Sequence, residues 1–569
     1  MNFNLEFDTK YYILTIMKKY LFIAVLLGVF AYGKLDACTN LLITKGATVD
    51  GSVILSYTAD AGGFMEPLYF HEGGTHKEGE MVEIREWDSG WLKYLGKISQ
   101  VKETYRVVGN MNEYQLTIGE TTFGGRDELV DTTGIIDYGS LIYITLQRAK
   151  TAREAIKVMT DLVAEYGYHS SGESFSICDP NEVWILEMIS KGKIEKGAVW
   201  VARRIPDGYI AAHANKARID EIIEGNPDVC LYSPDVITFA ERMGYYDKSK
   251  GIPFSFAEVY DPATPSSLFA CEGRVWSLYR RSSPSLNLKP DYFRAVKGAE
   301  KYPLYIKPDK LLSLTDITNL MRDHFQGTEF DMTKGVAAGP FGNPYRWKPL
   351  YFKIEGDTTP YAWERPISTQ QTAWSFIAQM RSNMPREIGG LFWYGVDDTY
   401  STCYTPLYCC ITEPPAPYKD VDVTKFNFNS ASWVFNLVGN IAYNMYSYII
   451  QDIQEEQKRI ENKFFAFQKP IENAALELHK TDKNMAIEYL TNYSKNQADY
   501  TLNCWKELWE KLVVKYNDRY INNVNATGNE AGRSPKGPGY GNDFFKQVTK
   551  ERPGYYEMKW KEPVKSKKK

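Results

Sequence analysis

The chain has 569 residues, and its 67 Lys and Arg residues against 71 Asp and Glu residues give a formal net charge of −4. Without a basic excess to neutralise a phosphate backbone, a nucleic-acid partner is not expected. Apolar residues make up 44% of the chain, too large a share for an intrinsically disordered protein. The length suits either three or four average domains or one large catalytic unit with an appended region.

The first predicted element is an export signal. Met17-Lys18-Lys19 is a short basic segment, and residues 21–32 (LFIAVLLGVFAY) form an apolar run of signal-peptide length that is too short to span a bilayer. A small residue, Ala37, then precedes Cys38. We predict that residues 1–37 are a signal peptide whose true start is Met17, and that the mature protein is periplasmic or extracellular.

Two cleavage routes at Cys38 remain open. A conventional signal peptidase would leave Cys38 with a free α-amino group and a free thiol. A lipoprotein peptidase would leave a diacylglyceryl group on the sulfur and an anchor in the envelope. Leu35 and Ala37 suit lipoprotein processing, whereas Asp36 does not.

A free N-terminal cysteine carries its own general base. An α-amino group has a pKa of about 7.7–8.0, so near neutral pH a useful fraction is unprotonated. It can take the thiol proton directly or through one water as the sulfur attacks a carbonyl. No histidine is needed for such a nucleophile.

The next predicted elements form a hairpin: a strand from Leu41, a turn at Asp50-Gly51 and a strand over 53–57. Residues 38–52 (CTNLLITKGATVDGS) resemble the start of the family C69 dipeptidases, which are N-terminal nucleophile hydrolases. The resemblance implies an α+β protein built as a four-layer α/β/β/α sandwich. It also implies a cysteine-type dipeptidase that acts through an acyl-enzyme.

Later blocks of the chain resemble the same family in their order and spacing. They include a second hairpin, a helix, a strand–turn–strand segment and several loop blocks. These are residues 109–125, 146–155, 175–187, 200–206, 212–215, 322–331 and 365–370.

The resemblance assigns roles near Cys38, the implied nucleophile. The family usually carries an Arg-Asn-Asp/Glu-Asp run at the end of the second strand, where this chain reads Tyr57-Thr58-Ala59-Asp60. Asp60 is therefore the last acidic residue of the family run, and we expect its carboxylate to orient and stabilise the charged amine of Cys38. A solvated turn acid is the alternative reading of Asp60. The family arginine is missing from this run, so its role must be filled by another residue or in a different way.

Asn215 ends a strand of small residues and is the expected oxyanion donor. A turn-capping role is its alternative. Thr122 aligns roughly with an asparagine of related acylases, so we include it as an oxyanion or substrate-binding candidate. Arg274 is a candidate to replace the missing arginine, with an ordinary structural ion pair as the alternative.

No metal or other cofactor is expected, because the six histidines show no paired-ligand spacing. A Cys–His–Asp arrangement through Asp323-His324 is less favoured than an ordinary polar contact of that pair. Disulfides among Cys403, Cys409 and Cys410 are conceivable in an exported chain, but pairing does not follow from sequence.

The remaining predicted elements set the domain boundaries. A helix is predicted at 151–166, and Pro414-Pro415 marks a rigid break. From about Trp433 to Tyr520 the pattern is helical, and the Lys-rich tail that follows is expected to be mobile. We predict a peptidase domain over 38–420 and a helical extension over 421–569, where a homo-oligomer contact is one option.

Three functions remain open. The leading one is a secreted dipeptidase of dipeptides and short peptides. A second is an amide acylase on the same scaffold, acting on bile-salt or penicillin-like amides. A third is a non-catalytic peptide-binding lipoprotein anchored through Cys38.

Overall fold

The computed structural model describes residues 38–87, 90–346, 350–525 and 535–558. The predicted signal peptide, with Met17 and the lipoprotein-like residues 35–37, lies outside the described residues. The same is true of the Lys-rich end of the tail, residues 559–569.

The strands of the described residues are, in chain order, β1 (Thr39–Ile43), β2 (Val53–Asp60), β3 (Phe70–His71), β4 (Gly74–Thr75), β5 (Met81–Arg85), β6 (Tyr94–Ser99), β7 (Glu103–Thr104), β8 (Val107–Val108), β9 (Met111–Asn112), β10 (Thr117–Gly124), β11 (Gly172–Cys178), β12 (Val183–Ser190), β13 (Ala198–Arg204), β14 (Ile210–His213), β15 (Cys230–Tyr232), β16 (Tyr305–Ile306), β17 (Tyr351–Phe352), β18 (Tyr361–Ala362), β19 (Thr372–Met380), β20 (Leu391–Val396) and β21 (Thr405–Tyr408).

The α-helices of the described residues are α1 (Tyr138–Leu146), α2 (Ala152–Tyr166), α3 (Val236–Arg242), α4 (Phe256–Tyr260), α5 (Pro265–Ser267), α6 (Gly273–Ser282), α7 (Leu314–Met321), α8 (Arg386–Gly389), α9 (Ala416–Lys419), α10 (Ala431–Ala442), α11 (Tyr446–Thr481), α12 (Lys483–Lys515) and α13 (Asn542–Glu551). A π-helical turn over Leu268–Glu272 joins α5 to α6.

Two antiparallel sheets hold most of the strands. Sheet A has the order β16-β14-β1-β2-β19-β20-β21, and sheet B has the order β15-β13-β12-β11-β10-β9-β8-β3. In sheet A, β1 pairs with β2 through Thr39 opposite Thr58 and with β14 through Asn40 opposite His213. All five residues of β1 are buried, as expected of a strand covered on both faces.

The two sheets pack face to face around β1, β2 and β10. A Cβ on Gly119 would lie 3.6 Å from both Leu55 and Tyr57 of sheet A, so the missing side chain lets β10 approach β2 closely. Thr121 of β10 and Ser176 of β11 each lie 2.7 Å from the ring of His213 in sheet A. These polar contacts fix sheet B against sheet A beside the start of β1.

Helices cover the outer faces of both sheets. Helix α2 begins after Thr151, whose hydroxyl accepts from the Glu154 N–H, and it buries an apolar stripe in the core cluster of sheet B. Helix α12 packs on sheet A, where Ser494 accepts from the Tyr408 N–H at 3.2 Å and Thr501 contacts Thr405 at 3.1 Å.

The structure is therefore an α+β protein dominated by antiparallel sheets, in agreement with the expected class. It confirms the hairpin β1–β2, the β9–β10 turn, helix α2, the β11–β12 pair and the long helical segment that contains α10, α11 and α12. Among the described residues, no helix is both long and apolar enough to cross a membrane.

Candidate active site

The site forms around Cys38, the residue directly before β1. Its side chain is 7% exposed, and its Sγ lies 3.4 Å from the Tyr57 hydroxyl and 3.5 Å from Glu120 Oε1. Tyr57 comes from β2 in the same sheet, whereas Glu120 comes from β10 in the facing sheet. The thiol therefore lies between the two sheets, at the end where β1 begins.

Tyr57 and Glu120 form a buried pair beside the thiol. The Tyr57 hydroxyl donates to Glu120 Oε1 at 2.7 Å, and the two residues are 5% and 3% exposed. Position 57 is where the resemblance expects an arginine. The structure thus replaces a cation next to the sulfur with a neutral phenol that is bound to a carboxylate.

Asn40 explains how Glu120 is held. β10 pairs with β9 only at Thr117, so its edge is open at Glu120 among the described strands. With Oδ1 accepting from Ser176 Oγ at 2.8 Å, the Asn40 amide also accepts from the Glu120 N–H at 3.2 Å and donates to the Glu120 carbonyl at 3.3 Å. The Asn40 side chain thus provides hydrogen-bond partners for the open edge of β10, and it links Glu120 to β1, the strand that follows Cys38.

His213 completes that network in its neutral form. Burial, and to a lesser degree Arg218, lower the pKa of His213 to about 3. If Ser176 donates to Asn40, the Nε2–H of His213 donates to Ser176, and Nδ1 accepts from Thr121. His213 therefore supports the site from the second strand of the sheet and does not contact the sulfur.

Asp60 is a buried ion-pair residue at the end of β2. It is 1% exposed, so the structure contradicts the alternative reading of a solvated turn acid. Its carboxylate accepts from Arg365 at 2.7 Å, from Thr372 at 2.7 Å and from Thr58 at 3.1 Å. The charge of the Asp60 carboxylate raises the pKa of the Cys38 thiol, whereas a hydrogen bond from the Asp60 backbone N–H lowers it. Asp60 thus lies close to the thiol, and Arg365 compensates its charge.

Arg274 ties the start of β1 to the end of β14. Its Nη1 donates to the Cys38 carbonyl at 2.6 Å and to Thr39 Oγ1 at 3.0 Å. Its Nη2 donates to the Ala214 carbonyl at 3.2 Å and to Asn215 Oδ1 at 3.0 Å. Burial and the nearby Arg365 lower the pKa of Arg274 to about 10. Among the described residues no carboxylate pairs with it, so the ordinary ion pair considered from sequence is not what the structure shows.

Asn215 is fixed at both ends of its amide. It has a left-handed backbone (φ 60°), its Oδ1 accepts from Arg274, and its Nδ2 donates to the Thr122 carbonyl at 2.8 Å. The hydroxyl of Thr122 donates to Glu173 at 2.7 Å. Asn215 and Arg274 therefore share one network with Cys38, whereas Thr122 joins it through its backbone oxygen.

The environment of the thiol favours its protonated form. Burial raises the pKa of Cys38 well above its usual value, and the negative charges of Glu120 and Asp60 raise it further. Hydrogen bonds from Tyr57 and from the Asp60 backbone oppose this only in part. A base close to the sulfur is therefore needed for attack.

An aromatic cleft opens beside the site. Its aromatic lining residues are Tyr69, Trp87, Tyr143, Trp374 and Tyr394. Trp374 packs against Tyr57 with 5.1 Å between ring centroids. By continuation of the strand register, Trp374 lies two strands from Cys38, at about 10 Å between Cα atoms.

Two other expectations concern residues away from the sulfur. His324 packs against the rings of Tyr345 and Tyr400 at 5.4 and 4.7 Å, and no hydrogen bond to its ring nitrogens forms among the described residues. The polar contact expected between Asp323 and His324 is therefore wrong: Asp323 accepts from Ser277 at 2.7 Å and Arg281 at 3.2 Å.

All eight cysteines are described, and each is buried and free, so the disulfide considered among Cys403, Cys409 and Cys410 is not formed. In the described part of the chain, no cluster of three or more His, Cys, Asp or Glu side chains is placed to hold a metal ion.

Sequence reasoning missed Glu120, Asn40 and Arg365 as site residues. Glu120 and Arg365 stand inside blocks that resemble the family, and Asn40 is two residues after Cys38, so their positions carried a signal. Their contacts join strands that are distant in sequence, which local patterns do not report.

The comparisons with known proteins agree on one family. The sequence model of Peptidase family C69 matches residues 86–459, a span that contains Glu120, Asn215 and Arg274 but not Cys38, Tyr57 or Asp60. A probable dipeptidase of Salmonella dublin is 27% identical over 410 residues, covering 69% of this chain and 85% of that protein. A probable dipeptidase of Latilactobacillus sakei is 24% identical over 507 residues, covering 85% and 96%. Dipeptidase A of Lactobacillus helveticus is 23% identical over 516 residues, covering 86% and 95%.

Proposed function

The chain belongs to peptidase family C69, and we propose that it is a secreted dipeptidase whose nucleophile is the thiol of Cys38. The observation that carries this proposal is the position of Cys38: its thiol lies between the sheets, and Arg274 holds its carbonyl at 2.6 Å. Nucleophile, carboxylates and a candidate oxyanion donor converge there from four separate segments of the chain.

The order of contacts supports an N-terminal nucleophile hydrolase sandwich. Helices α1 and α2 belong to the core of sheet B, sheet B contacts sheet A, and α12 contacts the outer face of sheet A. Helix, sheet, sheet and helix follow one another as the α/β/β/α arrangement requires. In that arrangement the catalytic residue stands first on a central strand, as Cys38 stands before β1.

Export and cleavage before Cys38 would activate the thiol. The freed α-amino group would take the Sγ proton while the Sγ–C bond forms to the peptide carbonyl. The amine thereby becomes positively charged, and the carboxylates of Glu120 and Asp60 supply the compensating field. The oxyanion of the tetrahedral intermediate is assigned to Asn215, whose amide is oriented by Arg274.

Collapse of that intermediate breaks the C–N bond, and the ammonium of Cys38 gives its proton to the leaving amine. A thioester remains on Sγ. Water then attacks the thioester and passes one proton to the α-amino group, and cleavage of the S–C bond returns that proton to the sulfur. The C-terminal amino acid of the dipeptide is therefore released first, and the N-terminal amino acid is released when the thioester is hydrolysed.

The test is hydrolysis of a dipeptide panel by the processed protein and by Cys38→Ser. We expect the wild type to release both amino acids and the variant to lose at least about 1,000-fold in kcat/KM. Cys504→Ser is the matched control, because Cys504 has the same 7% exposure and lies on α12. Unchanged turnover in Cys38→Ser would remove the thiol from the mechanism. Release from N-acyl amides with no dipeptide cleavage would favour an acylase.

A further inference from the structure

The loop between α7 and β17 places a half-buried arginine in a pocket next to the active site. The side chains that line this pocket include Met332, Arg346, Trp363, Arg365, Thr369 and Gln370. Arg365 is also the ion-pair partner of Asp60, whose backbone N–H bonds the Cys38 thiol. The pocket and the active site therefore share Arg365 as a wall, while Arg346 takes no part in the acyl-transfer steps.

The guanidinium of Arg346 has binding capacity that the protein does not use. Its Nη1 donates to the Asn343 carbonyl at 3.1 Å, and its Nη2 donates to the Met332 carbonyl at 3.0 Å. An arginine carries more N–H donors than these two bonds use. Among the described residues, its buried Nε has no hydrogen-bond partner and no carboxylate forms an ion pair with the guanidinium. Its charge is therefore open to an incoming anion.

The positive charge of Arg346 is held there at an electrostatic cost. Burial lowers the pKa of Arg346 below its usual value, and the charge of Glu364, which also lines the pocket, offsets this only in part. The planar fork of an arginine matches the two oxygens of a carboxylate. A bound carboxylate would therefore supply the counter-charge that this half-buried guanidinium lacks.

Gln370 fixes the backbone of Arg346 next to the active site. Its Nε2 donates to the Arg346 carbonyl at 2.6 Å. The next residue, Gln371, accepts through its carbonyl from the Ala61 N–H at 3.0 Å, and Ala61 directly follows Asp60. Arg346 is thereby tied to the segment that packs against the end of β2, where the thiol lies.

The size of a dipeptide agrees with this arrangement. Its terminal carboxylate carbon is three bonds, about 3–4 Å, from the scissile carbonyl carbon. In a near-attack geometry that carbon lies about 3–3.5 Å from Sγ, so an arginine that binds the carboxylate stands about 10 Å from Sγ. The path from Sγ through Asp60 to the Arg365 guanidinium, which lines the pocket, is also about 10 Å.

Building on the dipeptidase function proposed above, we propose that Arg346 binds the free C-terminal carboxylate of the substrate. The enzyme is thereby restricted to substrates that end one residue after the scissile bond. Arg346 acts as a specificity determinant, and the carboxylate that it holds helps to place the scissile carbonyl at Cys38.

A competing role for Arg346 is purely structural, because its two carbonyl partners belong to its own loop region. That role would make Arg346 equally necessary for every substrate. The proposed role makes it necessary only for substrates that carry the terminal carboxylate. The two roles therefore differ in substrate dependence, which a matched substrate pair resolves.

The experiment compares Ala-Ala with alanyl-alaninamide, in which a neutral amide replaces the carboxylate. For the wild type we expect kcat/KM to be about 30-fold higher for Ala-Ala, as for one charge-assisted contact. In Arg346→Gln that ratio should fall to within about 3-fold of one, mainly through a higher KM for Ala-Ala, with hydrolysis of the amide retained.

Arg148→Gln is the matched control and should keep the wild-type ratio. Arg148 is also half-buried, its Nε also lacks a partner among the described residues, and its Nη2 donates to the Ser99 carbonyl at 2.8 Å. It lies after α1 and contacts β6, away from Asp60 and Arg365.

Each other outcome counts against the proposal. Equal wild-type rates on both substrates would overturn it while leaving the dipeptidase function intact. A preference for Ala-Ala that persists in Arg346→Gln would place the carboxylate elsewhere, and equal losses on both substrates would make the residue structural. Hydrolysis of neither substrate by the wild type would refute the proposed function itself.

Arg346→Lys keeps the test decisive if Arg346→Gln does not fold. A lysine keeps the charge but cannot reproduce the planar fork. Its KM should therefore rise for Ala-Ala and stay near the wild-type value for the amide. An unchanged KM for Ala-Ala, or an equal rise for both substrates, would overturn the proposal.

Discussion

Arg274 donates to the carbonyl of Cys38 at 2.6 Å and to the amide oxygen of Asn215 at 3.0 Å. One guanidinium therefore sets the distance between the proposed nucleophile and the proposed oxyanion donor. The side chain is 1% exposed and stands in the first turn of α6, directly after the π-helical turn. Such turns within helices often occur at functional sites.

Replacement of Arg274 by Met should therefore lower kcat more than it raises KM. A displacement of about 1 Å at a reacting group costs on the order of 100-fold, and we expect a loss of that size. Steady-state kinetics below the unfolding temperature measure it. Arg322→Met is the control, because this buried arginine pairs with Glu461 on α11. Equal kcat losses in both variants would indicate general destabilisation.

The reactivity of Cys38 should respond to Glu120 in a defined direction. The charge of Glu120 raises the pKa of the Cys38 thiol, so Glu120→Gln should lower it. The pH dependence of alkylation by iodoacetamide reports this pKa, and its midpoint should move to lower pH in the variant. A midpoint that stays in place or moves to higher pH would contradict the electrostatic account.

The Asp60–Arg365 pair should contribute strongly to stability. Both side chains are almost fully buried, and removal of one partner leaves a buried charge without its counter-ion. We expect Arg365→Met to lower the free energy of unfolding by about 3–5 kcal/mol. The double variant Asp60→Asn/Arg365→Met should lose less than the sum of the single changes. Simple additivity in urea unfolding would show that the two residues are not coupled.

The sequence predicted the hairpin, α2 and the long helical segment well, because local signals mark such elements. Leu41 begins an apolar strand, Gly51 marks a turn, and Thr151 is a helix cap. It also located Cys38, Asp60, Asn215 and Arg274, whose contacts the structure then supplied. It did not predict that Glu120 would contact the thiol, because this contact crosses between two sheets. Arg365 was missed for the same reason, since 305 residues separate it from Asp60.

His324 should make the fold sensitive to acid. Burial lowers its pKa to about 3, whereas an unfolded histidine has a pKa of about 6.5. Between these values the unfolded chain binds a proton that the folded chain does not, so stability falls as pH falls from about 6.5 towards 3. This residue contributes about 1.4 kcal/mol per pH unit in that range.

The variant His324→Phe keeps an aromatic ring between Tyr345 and Tyr400 and removes the titration. The free energy of unfolding from urea titrations at pH 6.5 and 5.0 should therefore decline less in the variant than in the wild type. An equal decline in both proteins would show that His324 is protonated in the folded state.

The central claim is that Cys38 becomes the N-terminal residue and acts with its own amine. The most direct measurement is the N-terminal sequence and intact mass of active protein purified from its native envelope. We expect a chain that begins at Cys38, with an unmodified α-amino group and thiol. A diacylglyceryl group on Cys38, or full activity in a chain that keeps residues before Cys38, would contradict the account.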